Sequence, residues 1–82
     1  VINNRDIGVL KQFGTHVRAL RTEKGLSQQT LALKAGISKN QVGNIERGEV
    51  NITLTTAVAI SSILEITLPQ LFNFVQVSSS TK

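Results

Sequence analysis

Cysteine, methionine, tryptophan and tyrosine are all absent from this 82-residue chain, and proline and histidine occur once each. Without cysteine there is neither a disulfide framework nor a thiolate metal site, and His16 alone cannot hold a metal. The three phenylalanines are too few for an aromatic platform on which single-stranded bases stack, and Phe13 and Phe72 read as core. No apolar run approaches the ~20 residues that cross a bilayer, and no basic start leads into an apolar stretch, so a soluble cytoplasmic protein with no membrane contact is expected. Val1 opens a chain without methionine, which reads as removal of an initiator or trimming. There is also no glycine-rich phosphate loop and no nucleophile with a partner at a diagnostic spacing, because Ser27, Ser38 and Thr67 are better explained as helix caps. Neither an enzyme nor a cofactor is expected. A chain this short builds one small domain whose core stabilises it only modestly.

What is present is helical punctuation. Leu10, Phe13, Val17 and Leu20 recur at intervals of 3, 4 and 3, one face of a helix from about Asp6 to Lys24, with Gly25 as its stop. Ser27 caps a second, short helix that Gly36 ends, with Leu26 and Leu31 placed as a hydrophobic staple. Ser38 and Gln41 form a capping box for a third, stapled by Ile37 and Val42. Thr53 caps a fourth helix containing Val58, Ile60, Ile63 and Leu64. Thr67 with Gln70 repeats the box for a fifth, with Pro69 in its first turn and Ile66 and Leu71 as the staple. The expected fold is all-α, a compact five-helix domain over residues 1–77, followed by a polar tail at 78–82.

The third helix has an unusual outer face. With Val42 and Ile45 on its buried side, 100° per residue turns Asn40, Gly43, Asn44 and Arg47 outward and puts Lys39 at the flank. Lys39 sits in the first turn, where the dipole disfavours a cation by roughly 0.3–1 kcal/mol, and Gly43 sits mid-helix at a cost of about 1 kcal/mol against Ala. Local rules broken together tend to mark function rather than a merely solvated face. The major groove of DNA rewards such residues: an Asn amide pairs with the N6/N7 edge of adenine, Lys donates to guanine, and Gly permits close approach. The net charge of +4 agrees in sign, and eight of the nine bases (Arg5, Lys11, Arg18, Arg21, Lys24, Lys34, Lys39, Arg47) precede residue 51.

The segment GLSQQTLALKAGISKNQVGNIERGE, with RALRTEK before it and NITLTTAVAISSILEITLPQLF after it, resembles the phage-repressor and Cro-like (XRE-type) helix-turn-helix family over roughly residues 9–74. The resemblance implies a lambda-repressor-like fold with helices 2 and 3 as the helix-turn-helix. It implies that Gln28 touches a phosphate and braces the recognition helix. It further implies that Lys39, Asn40, Gly43 and Asn44 face base edges, and that Arg21 pairs with Glu46 inside the domain. With Ser38 and Arg47 at the two ends of the third helix, these residues make the candidate DNA-binding set. Two departures stand out. Glu49-Val50-Asn51-Ile52 replaces the Pro or basic residues common in the loop after the recognition helix, and Glu65 stands where Gly is common between the fourth and fifth helices. That corner must strain a non-glycine residue or take another turn.

The function expected is a sequence-specific, double-stranded DNA-binding transcriptional regulator, a repressor or controller protein acting as a homodimer on a pseudo-palindromic operator. The alternatives are an antitoxin-type protein that binds both DNA and a protein partner, and an interaction module that does not bind DNA. Leu68, Leu71, Phe74, Val75 and Val77 are the candidate dimer residues; Leu71 and Phe72 are expected to belong partly to the domain's own core, which leaves Phe74, Val75 and Val77 as more apolar surface than a free tail needs.

Overall fold

The computed structural model describes residues 6–74, and among them the chain forms five helices: α1 (Ile7–Glu23), α2 (Gln28–Ala35), α3 (Lys39–Glu46), α4 (Leu54–Leu64) and α5 (Leu68–Leu71). No strand occurs among the described residues. Every helix starts on a side-chain cap: Asp6, Ser27, Ser38, Thr53 and Thr67 each accept a backbone N–H from three residues ahead. Both capping boxes, Ser38 with Gln41 and Thr67 with Gln70, are closed in both directions.

One three-residue corner is used three times: Gly25-Leu26-Ser27, Gly36-Ile37-Ser38 and Glu65-Ile66-Thr67. The first residue is left-handed, with φ of 79°, 76° and 61° respectively. The second sends its N–H back to a carbonyl of the departing helix (Leu26 to Arg21, Ile37 to Ala32, Ile66 to Ser61) and its side chain onto the core. The third caps the next helix. A single apolar residue therefore closes one helix and staples the following one. At Glu65 the alternative left open by the sequence resolves as strain: the turn is the same, taken by a residue with a Cβ. Lys24 Nζ donates to the Glu65 carboxylate across this corner, and that hydrogen bond and charge hold the carboxyl below the usual carboxylate range.

The core takes Leu10, Phe13 and Val17 from α1, Leu31 and Ala32 from α2, Val42 and Ile45 from α3, Ala57, Ile60 and Leu64 from α4, and Leu71 from α5. Gly14 lies on the same stripe of α1, where a Cβ would stand 2.4 Å from the Ile45 carbonyl oxygen and 2.5 Å from that of Glu46. At Gly48 a Cβ would meet the Lys11 backbone at 2.7 Å. The last turn of α3 is thus set directly on the α1 backbone, and two glycines make that possible.

Two expectations at the C-terminal end are corrected. Leu71, proposed as a dimer residue, is fully buried, because it is the staple partner that fixes α5 to the core. Phe72, expected in the core, is 43% exposed and keeps one ring face on Phe13, with centroids 5.5 Å apart. Phe74 approaches Phe13 edge-on at 5.7 Å and is half-buried against the core, as is Leu68. Val75, Val77, the expected domain end at 77 and the tail lie outside the described residues. No described helix is long and apolar enough to cross a membrane.

Candidate nucleic-acid interface

Beneath α3 lies a buried knot of four groups. Arg21 Nε donates to Glu46 Oε2 at 2.6 Å, Arg21 Nη2 donates to Glu46 Oε1 at 3.1 Å, and Arg21 Nη1 donates to the Leu26 carbonyl at 2.7 Å. Gln28 Nε2 adds a bond to Glu46 Oε1 at 3.0 Å. The Arg21 and Glu46 side chains are only 10% and 3% exposed. Burying an ion pair is favourable only when the remaining donors and acceptors are satisfied, as they are here by a bidentate fork and two further bonds. The knot joins the end of α1, the first corner, the first residue of α2 and the last of α3. It thereby fixes how α3 is presented. Arg21 falls on the α1 stripe after Leu10, Gly14 and Val17, so its burial follows from the same periodicity as the core residues.

Above the knot, α3 shows a polar face. Lys39, Asn40 and Arg47 are exposed, and Asn44 is partly buried. Ser38 is exposed, with its oxygen committed to the Gln41 N–H at 3.0 Å. Gln28 is braced against Glu46 by one amide N–H and retains a second.

Gly43 departs from expectation. It was expected to stand open on the outer face, yet it is buried because Arg47 folds back across it; a Cβ there would lie 2.9 Å from Arg47 Nη1. Arg47 in turn donates through Nη2 to Asn44 Oδ1 at 2.6 Å and through Nε to Glu49 Oε2 at 3.1 Å. Sequence reasoning did not include Glu49 in the site; its signal was a carboxylate two residues beyond the arginine that ends α3. Gln29 and Leu33 lie close to Lys39. They line a shallow cleft between α2 and α3 together with Ile37 and Lys39, and Leu33 is 80% exposed. A larger groove of about 470 Å³ runs along α1 past Thr15, His16, Ala19 and Phe74, and none of the candidate DNA-facing residues lines it.

Two short helices joined through a left-handed glycine, the second capped, braced from beneath and polar on its outer side, define a helix-turn-helix domain. The helix-turn-helix family HTH_3 matches residues 17–71, and the chain belongs to this family, which comprises transcription regulators and not enzymes. The chain is similar to the control protein C.SmaI of Serratia marcescens, 36% identical over 56 residues that make up 68% of this chain and 67% of that protein. It is also similar to the transcriptional regulator SinR of Bacillus licheniformis, 33% identical over 62 residues, 74% of this chain and 56% of SinR. The crystal structure of the restriction-modification controller protein C.AhdI of Aeromonas hydrophila superimposes with a TM-score of 0.77 at 41% identity, covering 78% of this chain and 97% of that one.

Proposed function

We propose that this protein is a regulator that reads duplex DNA by placing α3 in the major groove, and that it acts as a symmetric homodimer in the cytoplasm. The observation that carries this reading is the asymmetry of α3: its inner side is locked by the Arg21–Glu46–Gln28 knot, while its outer side carries Lys39, Asn40, Asn44 and Arg47. A rigidly held short helix with amide and cationic side chains matches the donor and acceptor code of base edges. Gln28, with its remaining N–H, serves a phosphate at the start of α2, and Ser38 lies at the mouth of the groove. The likeness to controller proteins supports the regulatory class.

One α3 reads only a few base pairs, so two copies are needed to select a site. Half-sites about 34–36 Å apart follow from that symmetry. Leu68 and Phe74 remain as described dimer candidates, with Val75 and Val77 beyond them. The antitoxin-type alternative needs a separate partner surface, and in its candidate, the apolar end Leu71-Phe72-Asn73-Phe74-Val75, Leu71 is buried in the core while Phe72 and Phe74 both spend a ring contact on Phe13.

The test is selection from a randomised duplex library followed by sequencing and by sedimentation of the complex. The expected result is a pseudo-palindromic consensus bound by two copies. Gln28→Ala should weaken selected and unselected duplexes by the same factor, because a phosphate carries no sequence code. Equal affinity for every duplex, or none for any, would overturn the reading.

A further inference from the structure

We propose that the exposed face of α4 is where two copies of this chain pair, antiparallel about a two-fold axis at Val58, an inference that rests on the proposed homodimer and names its surface. None of the 11 residues of α4 is charged. From Asn51 to Thr81 the one charge is Glu65, and Lys24 already engages it. Yet α4 is not covered. Leu54 is 71% exposed and Val58 46%, and Ser62, four residues further on, is exposed as well. Residues four apart form one row along a helix, so Leu54, Val58 and Ser62 make an uncharged stripe on the outside of α4. Ala57, Ile60, Ser61 and Leu64 are buried and hold its other side in the domain. A helix side that merely faces water carries charged residues, and this one has none.

Charge chooses the occupant. A patch that is apolar and free of charge has the composition of an interface centre, and whatever lies on it must bring no unpaired charge of its own. The exposed faces of α1 and α2 do not meet that condition. The first carries Lys11, Arg18 and Lys24, and on the second Leu33 adjoins Lys34 and lines a cleft with Lys39. The same stripe on a second copy does meet it. A two-fold axis through Val58 runs the two helices antiparallel and sets Leu54 of each copy over Ser62 of the other, large against small at both ends. At the C-terminal end, by contrast, Leu68 and Phe74 are already packed against the core. Eleven residues make a helix about 16 Å long, short for the roughly 800 Å² per partner of a standard interface, so the free pair is weak and the duplex completes it. Lys39, Asn40, Asn44 and Arg47 all lie outside α4, which leaves α3 free in both copies.

The experiment measures cooperativity on DNA. The full chain is titrated onto a selected duplex with both half-sites and onto one with a single half-site, and so are Val58→Lys, Val58→Glu and an equimolar mixture of the two. Comparing the two duplexes for each protein divides out the effect of the new charge on DNA affinity. In the unaltered chain the second copy should bind about 5- to 150-fold more tightly than the first. Each single variant sets like charges face to face at the axis and should lose that factor, whereas the mixture sets opposite charges there and should regain most of it. Both variants should keep their helix content and cooperative melting, because Val58 already stands half in solvent. Leu54→Glu, at the more exposed end of the stripe and in the first turn of α4, where the dipole favours an acid, should lose cooperativity too. Cooperativity that persists in all three variants would overturn α4 as the surface and leave the homodimer reading standing. A loss that the mixture fails to restore would do the same. No cooperativity in the unaltered chain on the duplex with both half-sites would remove the homodimer itself, and the pairing of α4 with it.

Discussion

Two ion pairs begin one residue apart at the end of α3, and they differ in almost everything but chemistry. Glu46 turns inward to Arg21 with both side chains nearly out of solvent, while Arg47 turns outward to Glu49 with 57% and 54% of the side chains exposed. The inner pair is bidentate and supported by Leu26 and Gln28, so removing either partner leaves a buried charge without its counter-ion. The outer pair stands in high dielectric and can be exchanged for another anion at little expense. Environment thus divides the labour of one helix end: the buried arginine fixes where α3 is, and the exposed arginine remains available for what α3 meets.

The sharpest way to break this comparison is to truncate both acids. Glu46→Ala should lower unfolding free energy by about 3–5 kcal/mol in chemical denaturation, a large part of a small domain's stability. In a cycle with Arg21→Ala the two losses should fall short of additivity by more than about 0.5 kcal/mol. Next in size, Gly14→Ala should destabilise by about 1–3 kcal/mol although it improves helix propensity, because the methyl is driven into the Ile45 and Glu46 carbonyls and the knot is pushed off α1. Asn40→Ala should leave stability within about 0.5 kcal/mol and remove about 1–3 kcal/mol of binding to a selected duplex. Arg47→Ala should change stability by only about 0–1 kcal/mol. A loss as large as that from Glu46→Ala would erase the distinction between the two pairs.

The smallest effect is expected at the third described pair, Lys24 with Glu65. The carboxyl of Glu65 is held below its ordinary range, so the contribution of this pair is present above the carboxylate's unfolded pKa and is lost as pH falls through the lower folded value. Thermal melts taken down through and below the ordinary carboxylate range should therefore show a modest share of the decline that Lys24→Ala removes and added salt weakens. A decline of the same size in Lys24→Ala would place its origin elsewhere.

Helix ends were legible in the sequence because capping is a local affair: Ser27, Ser38, Thr53 and Thr67, with their staples, depend on residues a few positions away. The inward stripe Leu10, Phe13, Val17 was legible for the same reason. What escaped were contacts between backbones and between side chains distant from the period. Gly14 carried no signal of its own, because its role is the close approach of the Ile45 and Glu46 carbonyls from α3. Gly43 was read as an opening for DNA, whereas the space is filled by Arg47, a long side chain whose direction no pattern of apolar residues encodes. Leu71 was read both as a staple to the core and as a dimer residue, and α5 is so short that only its burial decides between them. Arg21 with Glu46 came from family likeness, and only the burial of both side chains gives the physical reason for the pair.

DNA is expected to meet the outer face of α3, and side-chain amide NMR separates that face from the rest directly. Titrating the labelled protein with a duplex recovered from the random library should move the NH₂ resonances of Asn40, Asn44 and Gln28 and leave those of Gln12, Gln70 and Asn73 near their free positions. Shifts concentrated on Gln12, Gln70 and Asn73, with Asn40 and Asn44 unmoved, would contradict it.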